Sequence, residues 1–330
     1  MSPASSIATP GLWAASIATV LLLLALDFAL TRRPHEVSMR EALGWSAFYV
    51  ALPLLFGVYV WQQFGSDRGV EYLTGYLVEK SLSVDNLFVF MLLLTAFAVP
   101  RQLQQRVLLY GIVGALVLRA VFIALGAAAL ARFDWVFLVF GAVLVATAVK
   151  ILRDAVRGLD HQVDIESMRS VRLMRRLMPV TADYRGPRLL VHEQGRRALT
   201  PFALVVVAVL ATDIVFAVDS VPAVYGITGD PFLVFATNAF ALLGLRALYF
   251  VLEGALSSLV FLGYGLATIL AFIGVKLVLH WAHGEWASVP EIPTVLSLGV
   301  IVAVLALTVA LSLRASARRE ARSRSEASAG

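Results

Sequence analysis

The chain contains no cysteine and little charge. Of its 330 residues, 15% are Asp, Glu, Lys or Arg against 60% apolar, and the mean hydropathy is +0.84. A soluble domain carries nearer about a quarter charged residues. Without a thiol, this chain cannot form disulfides, thiolate metal sites or a cysteine nucleophile. It has no H-E-x-x-H pair, P-loop or G-x-G-D run. Catalysis and ATP hydrolysis therefore have no support, and neither an enzyme nor a bound cofactor is expected. Basic patches interleaved with exposed aromatics are also missing, so nucleic acid is not an expected partner.

What the sequence does hold is apolar residues in blocks of about 20, the length that crosses a bilayer as a helix. The pattern predicts an all-α polytopic membrane protein with about nine spans, near 11–30, 42–62, 72–98, 105–127, 134–153, 201–224, 232–252, 257–281 and 293–313. The first block lacks a basic lead and an A-x-A cleavage site, and reads as a retained span. Arg32, Arg33 and Arg40 follow it, and Arg101 and Arg106 follow the third. The stretch from Lys150 to Arg197 holds eleven Lys/Arg against six acids, and the tail after Arg314 is again basic. Nine spans with the N-terminus outside and the C-terminus cytoplasmic place every basic link on one side, as the positive-inside rule requires. The expected setting is a bacterial plasma membrane.

The loop 154–200 is the one sizeable segment between spans. His161 to Met178 suits an amphipathic surface helix and Tyr184-Arg185-Gly186-Pro187 a turn. It reads first as a solvated, topology-setting linker, with a regulatory or lipid-contacting role as the alternative. The tail 315–330, rich in Arg, Ser and Ala, is expected to be disordered or a frayed helix.

Acids inside apolar runs carry the functional signal. Asp213 and Asp219 lie in the run Pro201–Ile227, and Glu79 and Asp85 stand six residues apart in the third span. An Asp at the centre of a spanning helix costs about 2.5–3.5 kcal/mol on insertion scales, so a partner or an ion must offset it. The two acid pairs belong to an internal repeat. Val84-Asp85-Asn86 echoes Val218-Asp219-Ser220, Leu118-Arg119-Ala120 echoes Leu245-Arg246-Ala247, and Val149-Lys150-Ile151 echoes Val275-Lys276-Leu277. Arg119 and Lys150 are 31 residues apart, and Arg246 and Lys276 are 30. On the predicted topology, 71–153 and 201–282 are inverted three-helix repeats joined by the loop. Residues 1–70 supply two peripheral spans, 283–314 the last span and 315–330 the tail. Folds of this kind place ion sites near the midplane between repeats.

The motifs Glu79-Lys80-Ser81-Leu82-Ser83-Val84-Asp85-Asn86, Asp213 to Ala223, and Asn238 to Arg246 resemble the TerC family of integral membrane proteins, over roughly residues 71–280. The family takes its name from tellurium resistance. Several members are associated with manganese export, and plastid relatives with membrane-protein assembly. The resemblance implies a metal-ion exporter, with Mn2+ as the expected transported substrate.

The residues themselves offer hard oxygen ligands: Asp85, Asp219, Glu79, Asp213, Asn86, Ser83 and Ser220, with carbonyls freed near Pro222. Such sets suit Mn2+, Mg2+ or Ca2+. Residues six apart on an unbroken helix differ by about 240° in direction and about 9 Å in height, so neither pair can close on one ion. Either both helices unwind, or Asp85 and Asp219 form the central pair while Glu79 and Asp213 line the path; the second version, with unwinding at Pro222, is the expectation. Arg119, Arg246, Lys150 and Lys276 are the charge-compensating bases, although all four could instead simply brace buried ion pairs. Asp27 is placed near an interface with little functional weight. His280, His283 and Glu285 read as interfacial anchors beside Trp281 and Trp286, Asn238 as a ligand-orienting or helix-bridging amide, and Gly263-Tyr264-Gly265 as a packing contact. The expected partners are a divalent cation and the lipid bilayer. The alternatives are a tellurite-type oxyanion route and a non-transporting assembly factor.

Overall fold

The structure, a computed structural model, describes residues 6–30, 38–158, 168–193, 196–252, 259–286 and 288–329. Along the chain run α1 (Pro10–Leu30), α2 (Met39–Phe64), α3 (Ser66–Ala96), α4 (Arg101–Leu130) and α5 (Val136–Arg157). A short segment follows with α6 (Arg169–Leu177), β1 (Leu190–Glu193) and β2 (Arg196–Leu199). Then come α7 (Pro201–Tyr225), α8 (Pro231–Leu242), α9 (Leu245–Leu252), α10 (Leu262–Glu285) and α11 (Thr294–Ala329). The fold is a polytopic α-helical membrane protein, as the composition predicts.

Local sequence explains where the helices start. Thr200 accepts from the Ala203 amide ahead of Pro201, and Asp230 accepts from the Phe232 amide ahead of Pro231. In both, a side-chain oxygen satisfies an orphan donor while proline occupies a position that needs none. Asp230 also receives the Ile7 amide at 2.6 Å and the Ser6 hydroxyl at 3.1 Å, tying the segment before α1 to the start of α8.

Seven single helices are long and apolar enough to cross a bilayer, and the pair α8–α9 makes an eighth candidate. The ninth expected span, α3, is too polar by composition, carrying Asp67, Arg68, Glu71, Glu79, Lys80 and Asp85. Its 31 residues rise about 46 Å. It packs against α2, α7, α8 and α11, so its polar stripe meets protein rather than lipid.

Two expectations need correction. The span expected at 232–252 is two helices bent by 41° at Leu243–Gly244, where Gly244 has φ +80° and rests on the Tyr49 ring. A side chain there would meet both a left-handed backbone and an aromatic wall. The unwinding expected at Pro222 does not occur, because α7 continues through it to Tyr225. Pro222 lies in the last turns, where its missing N–H removes only the bond to the Val218 carbonyl. Of the two states expected for the tail, residues 315–329 take the helical one as the continuation of α11, in keeping with a stretch rich in alanine and arginine. The amphipathic helix expected over 161–178 is described as α6; residues 159–167 lie outside the described residues.

Packing sorts the helices into a centre and a rim. α3 packs on α8, α7 on α4, α3 on α7, and α5 on α10 most extensively of all. α5 and α10 approach through glycines: a Cβ on Gly141 would stand 2.8 Å from the Gly274 carbonyl, and one on Gly274 2.9 Å from the Gly141 carbonyl. Small residues allow such approach where lipid supplies no hydrophobic drive between helices. Gly265 is likewise pressed against Thr308 of α11.

The backbone contact at Gly141 makes a test. Gly141→Val is expected to destabilise the detergent-solubilised protein by about 1–3 kcal/mol, the range of overpacking. Gly44→Ala, at a position with nothing within 4 Å, is expected to leave it unchanged. Thermal unfolding of the two variants checks both.

Candidate functional site

Glu79 lies near the middle of α3 and Asp213 at the middle of α7, 0% and 1% exposed. On each helix the i, i+4 and i+7 positions share one face. That face carries Glu79, Ser83 and Asn86 on α3 and Asp213, Ala217 and Ser220 on α7. Between the two acids stands the guanidinium of Arg119 from α4, 1% exposed. It pairs with Glu79 and lies 3.5 Å from Asp213 Oδ1. Its Nη1 also donates to Asn238 Oδ1 of α8 at 3.0 Å, and Asn238 Nδ2 donates to the Val234 carbonyl. With the Asn86 amide turned to suit its neighbours, its oxygen accepts from Arg119 Nη2 at 3.2 Å and its nitrogen donates to the Leu82 carbonyl. Four helices thus meet on one planar cation, a task suited to arginine's fork of donors.

The deepest acids are therefore Glu79 and Asp213, where Asp85 and Asp219 were expected. Asp85 and Asp219 each stand one residue short of the shared face, half-buried, on the wall of a neighbouring cavity of about 220 Å3. Thr147 of α5 donates to Asp219 Oδ1 at 2.7 Å. Lys150 and Asp154 of α5 line the same cavity, as do Asn86 and Ser220. Asn86 and Ser220 therefore join the cavity to the Arg119 centre. Buried Ser83 Oγ, Ser220 Oγ and Asp213 Oδ2 have no hydrogen-bond partner among the described residues. A buried polar oxygen left unpaired is costly and marks a place where water or an ion can bind. The four acids do not close into one pre-formed cage: among the described residues no three His, Asp or Glu side chains converge as a metal site.

The remaining predicted bases go elsewhere. Arg246 opens α9 just beyond the break, and pairs with Asp27 of α1 at 2.8 Å and with Gln105 Oε1 at 3.3 Å. Asp27, taken from sequence for an interfacial residue, is 2% exposed and is the acid that Arg246 compensates. Lys276 is 8% exposed at the opposite end of the bundle. It lines a second cavity of about 430 Å3 with Glu71, Thr228, His280 and Glu291. There Thr228 and Arg68 both donate to Glu71, and His280 Nδ1 meets Glu291 Oε1 at 2.7 Å. His283 Nδ1 meets the Val289 carbonyl, and Trp281 packs edge-on against Trp286. Glu285 lies in an adjoining cavity with Asp134.

Thr147 and Asp154 are the site residues that sequence reasoning missed. The repeat-matched lysine was the available signal. Thr147 stands three residues before Lys150 and Asp154 four after, so both share its helix face. Lys80, inside the quoted motif, donates to the Ala241 carbonyl at 3.2 Å, at the end of α8 where the break leaves carbonyls without helical donors.

A helical membrane protein with a buried, net acidic centre beside a carboxylate-lined cavity is the class that fold and site define. The profile described as "Integral membrane protein TerC family" matches residues 64–320. The chain belongs to that family. It is 42% identical over 309 residues to an uncharacterized membrane protein of Myxococcus xanthus, covering 93% of each chain. Over 313 residues it is 42% identical to an uncharacterized membrane protein of Mycobacterium tuberculosis, covering 91% of this chain and 78% of the relative. It is also 39% identical over 317 residues to a protein of Escherichia coli (strain K12) named "Putative membrane-bound redox modulator Alx", covering 92% and 94%. No solved structure matches the chain.

Arg119→Met leaves two buried carboxylates uncompensated and is expected to cost about 3–5 kcal/mol of stability. The triple variant Glu79→Gln/Asp213→Asn/Arg119→Met removes the charges together and is expected to recover most of that loss. Thermal unfolding in one detergent compares them.

Proposed function

We propose that this chain is a secondary transporter that exports a divalent cation, Mn2+, across the plasma membrane. The observation that carries the reading is the cavity between α3, α5 and α7, where Asp85, Asp219 and Asp154 stand against the single base Lys150. Its oxygens come from carboxylates, the Asn86 amide and the Ser220 and Thr147 hydroxyls, a hard set with no sulfur among the polar groups. Next to it, Glu79 and Asp213 hold Arg119. With both acids ionised, that centre keeps one net negative charge, which also favours a cation. Movement of Arg119 out of the pair would expose two further carboxylates to an arriving ion, and its return would expel the ion. The residues therefore suit alternating occupancy better than permanent binding. We further infer that α3–α5 and α7–α10 are inverted repeats. Exchanging the two sets maps the α3–α8 contact onto the α7–α4 contact and leaves the α3–α7 and α5–α10 contacts unchanged. The basic ends, 168–200 among them, are assigned to the cytoplasm by the positive-inside rule.

An oxyanion route is opposed by the partners of the two buried arginines. Arg119 is taken by two acids and Arg246 by Asp27. The name of the Escherichia coli relative suggests a redox role. Thiol chemistry is closed to this chain, which has no cysteine, so an effect on redox state would follow from the metal that it moves.

Purified protein in proteoliposomes, tested with Mn2+, Mg2+ and Ca2+ in turn, provides the direct measurement. Asp85→Asn and Asp219→Asn keep side-chain size but remove ligand charge. Each is expected to lower Mn2+ flux by roughly tenfold or more, since even outer-shell changes at metal sites cost about 10–100-fold. Their thermal stability should stay near that of the parent, because neither acid holds Arg119. Full flux in the double variant would exclude this site, whereas absence of flux of all three cations through the parent protein would leave an assembly role as the better reading.

A further inference from the structure

The arginine-rich end of the bundle carries a surface outside the cation site proposed above. Residues 168–200 hold eight arginines against two acids, Asp183 and Glu193. α6 is pinned there by Val171, 1% exposed, with Met168 and Met174 packed on the core formed by the starts of α4 and α7. Tyr184 adds a second anchor, its hydroxyl donating to the Phe97 carbonyl at the end of α3. Burial pushes the Tyr184 pKa up to about 12, so the donor persists at neutral pH.

Among the described residues, the other side of α6 has no such cover. Leu173 and Leu177, one turn apart, are 54% and 64% exposed. At 100° per residue their stripe lies about 90–130° round from the buried Val171–Met174 face. It therefore lies beside the buried face rather than directly opposite it. Arg169 and Arg176, both exposed, flank the leucines on the side away from the core. An apolar stripe edged by guanidinium groups, held at the end of membrane-spanning helices, has the pattern of a helix lying in the bilayer interface.

We propose that α6 is a docking element for anionic phospholipid, with Leu173 and Leu177 seated at the acyl boundary and Arg169 and Arg176 on headgroup phosphates. Charge complementarity selects the anionic lipid, because arginines outnumber acids four to one in this segment. The competing occupant of the same face is an acidic soluble protein.

The absence of native cysteine makes the test direct, since Leu177→Cys provides a single site for an environment-sensitive fluorophore on the full chain. Labelled protein is placed in vesicles of phosphatidylcholine alone or with phosphatidylglycerol at roughly 3:1, each containing lipid brominated high on the acyl chain. Quenching is expected in the anionic vesicles, clearly weaker in the neutral ones, and reduced by roughly half when Arg169→Gln and Arg176→Gln are added. Leu173→Cys, labelled in the same way, should report the same pattern if the first label perturbs its site. Unquenched emission in both vesicles overturns the proposal by placing the helix in water. Equal quenching in both, unaffected by the arginine changes, overturns the role of lipid charge. Emission that shifts only when an acidic soluble protein is added assigns the surface to that partner instead.

Discussion

The structure depends on one buried guanidinium. Arg119 of α4 has almost no exposed surface, and three other helices bring groups to it: Glu79 and Asn86 from α3, Asp213 from α7 and Asn238 from α8. Two carboxylates in a low-dielectric interior repel each other strongly unless a cation sits between them. This requirement explains why α3, too polar to face lipid, lies inside the bundle. It also sets the register of α4 against α3 and α7, because a shift of one turn would move the guanidinium about 5.4 Å from its partners.

The surrounding elements shape what remains. The glycine contact of α5 with α10 brings α5 into the bundle wall, and from there Thr147, Lys150 and Asp154 reach the cavity beside the charged centre. A second buried arginine, Arg246, begins a half-helix beyond the Gly244 break and is held by Asp27 from α1. The arginines of the two matching Leu-Arg-Ala motifs thus have different partners. One lies between the acids of both central helices, and the other fastens a peripheral helix to the break. A cation path built on this frame would use the first centre and leave the second as an anchor.

Much of this was legible from the spacing of acids and bases. Glu79/Asp85 and Asp213/Asp219 drew attention because acids within apolar runs need partners, and the six-residue interval ruled out one cage built from both pairs on unbroken helices. The structure resolves that interval as two adjoining groups, with Asn86 and Ser220, seven residues after the first acids, turned to the same side as those acids. Pro222 was a misleading signal, because a proline near a helix end removes one bond without breaking the helix. The break lies instead at Leu243–Gly244, where an extended Leu243 is followed by the left-handed backbone of Gly244 beside Tyr49.

By itself the sequence determined the solvent and the local order: long apolar runs that must be helices in lipid, and acids that must be compensated. Those follow from transfer energies and helix periodicity, which act along the chain. Which base compensates which acid was decided only by the tertiary structure. Asp27 and Arg246 are 219 residues apart, and Glu79 and Arg119 are separated by a helix turn-around. Coulomb pairing depends on distance in space. Five acids, Asp27 included, and four bases distributed over seven helices permit many pairings until packing at Gly141, Gly274 and Gly244 selects one.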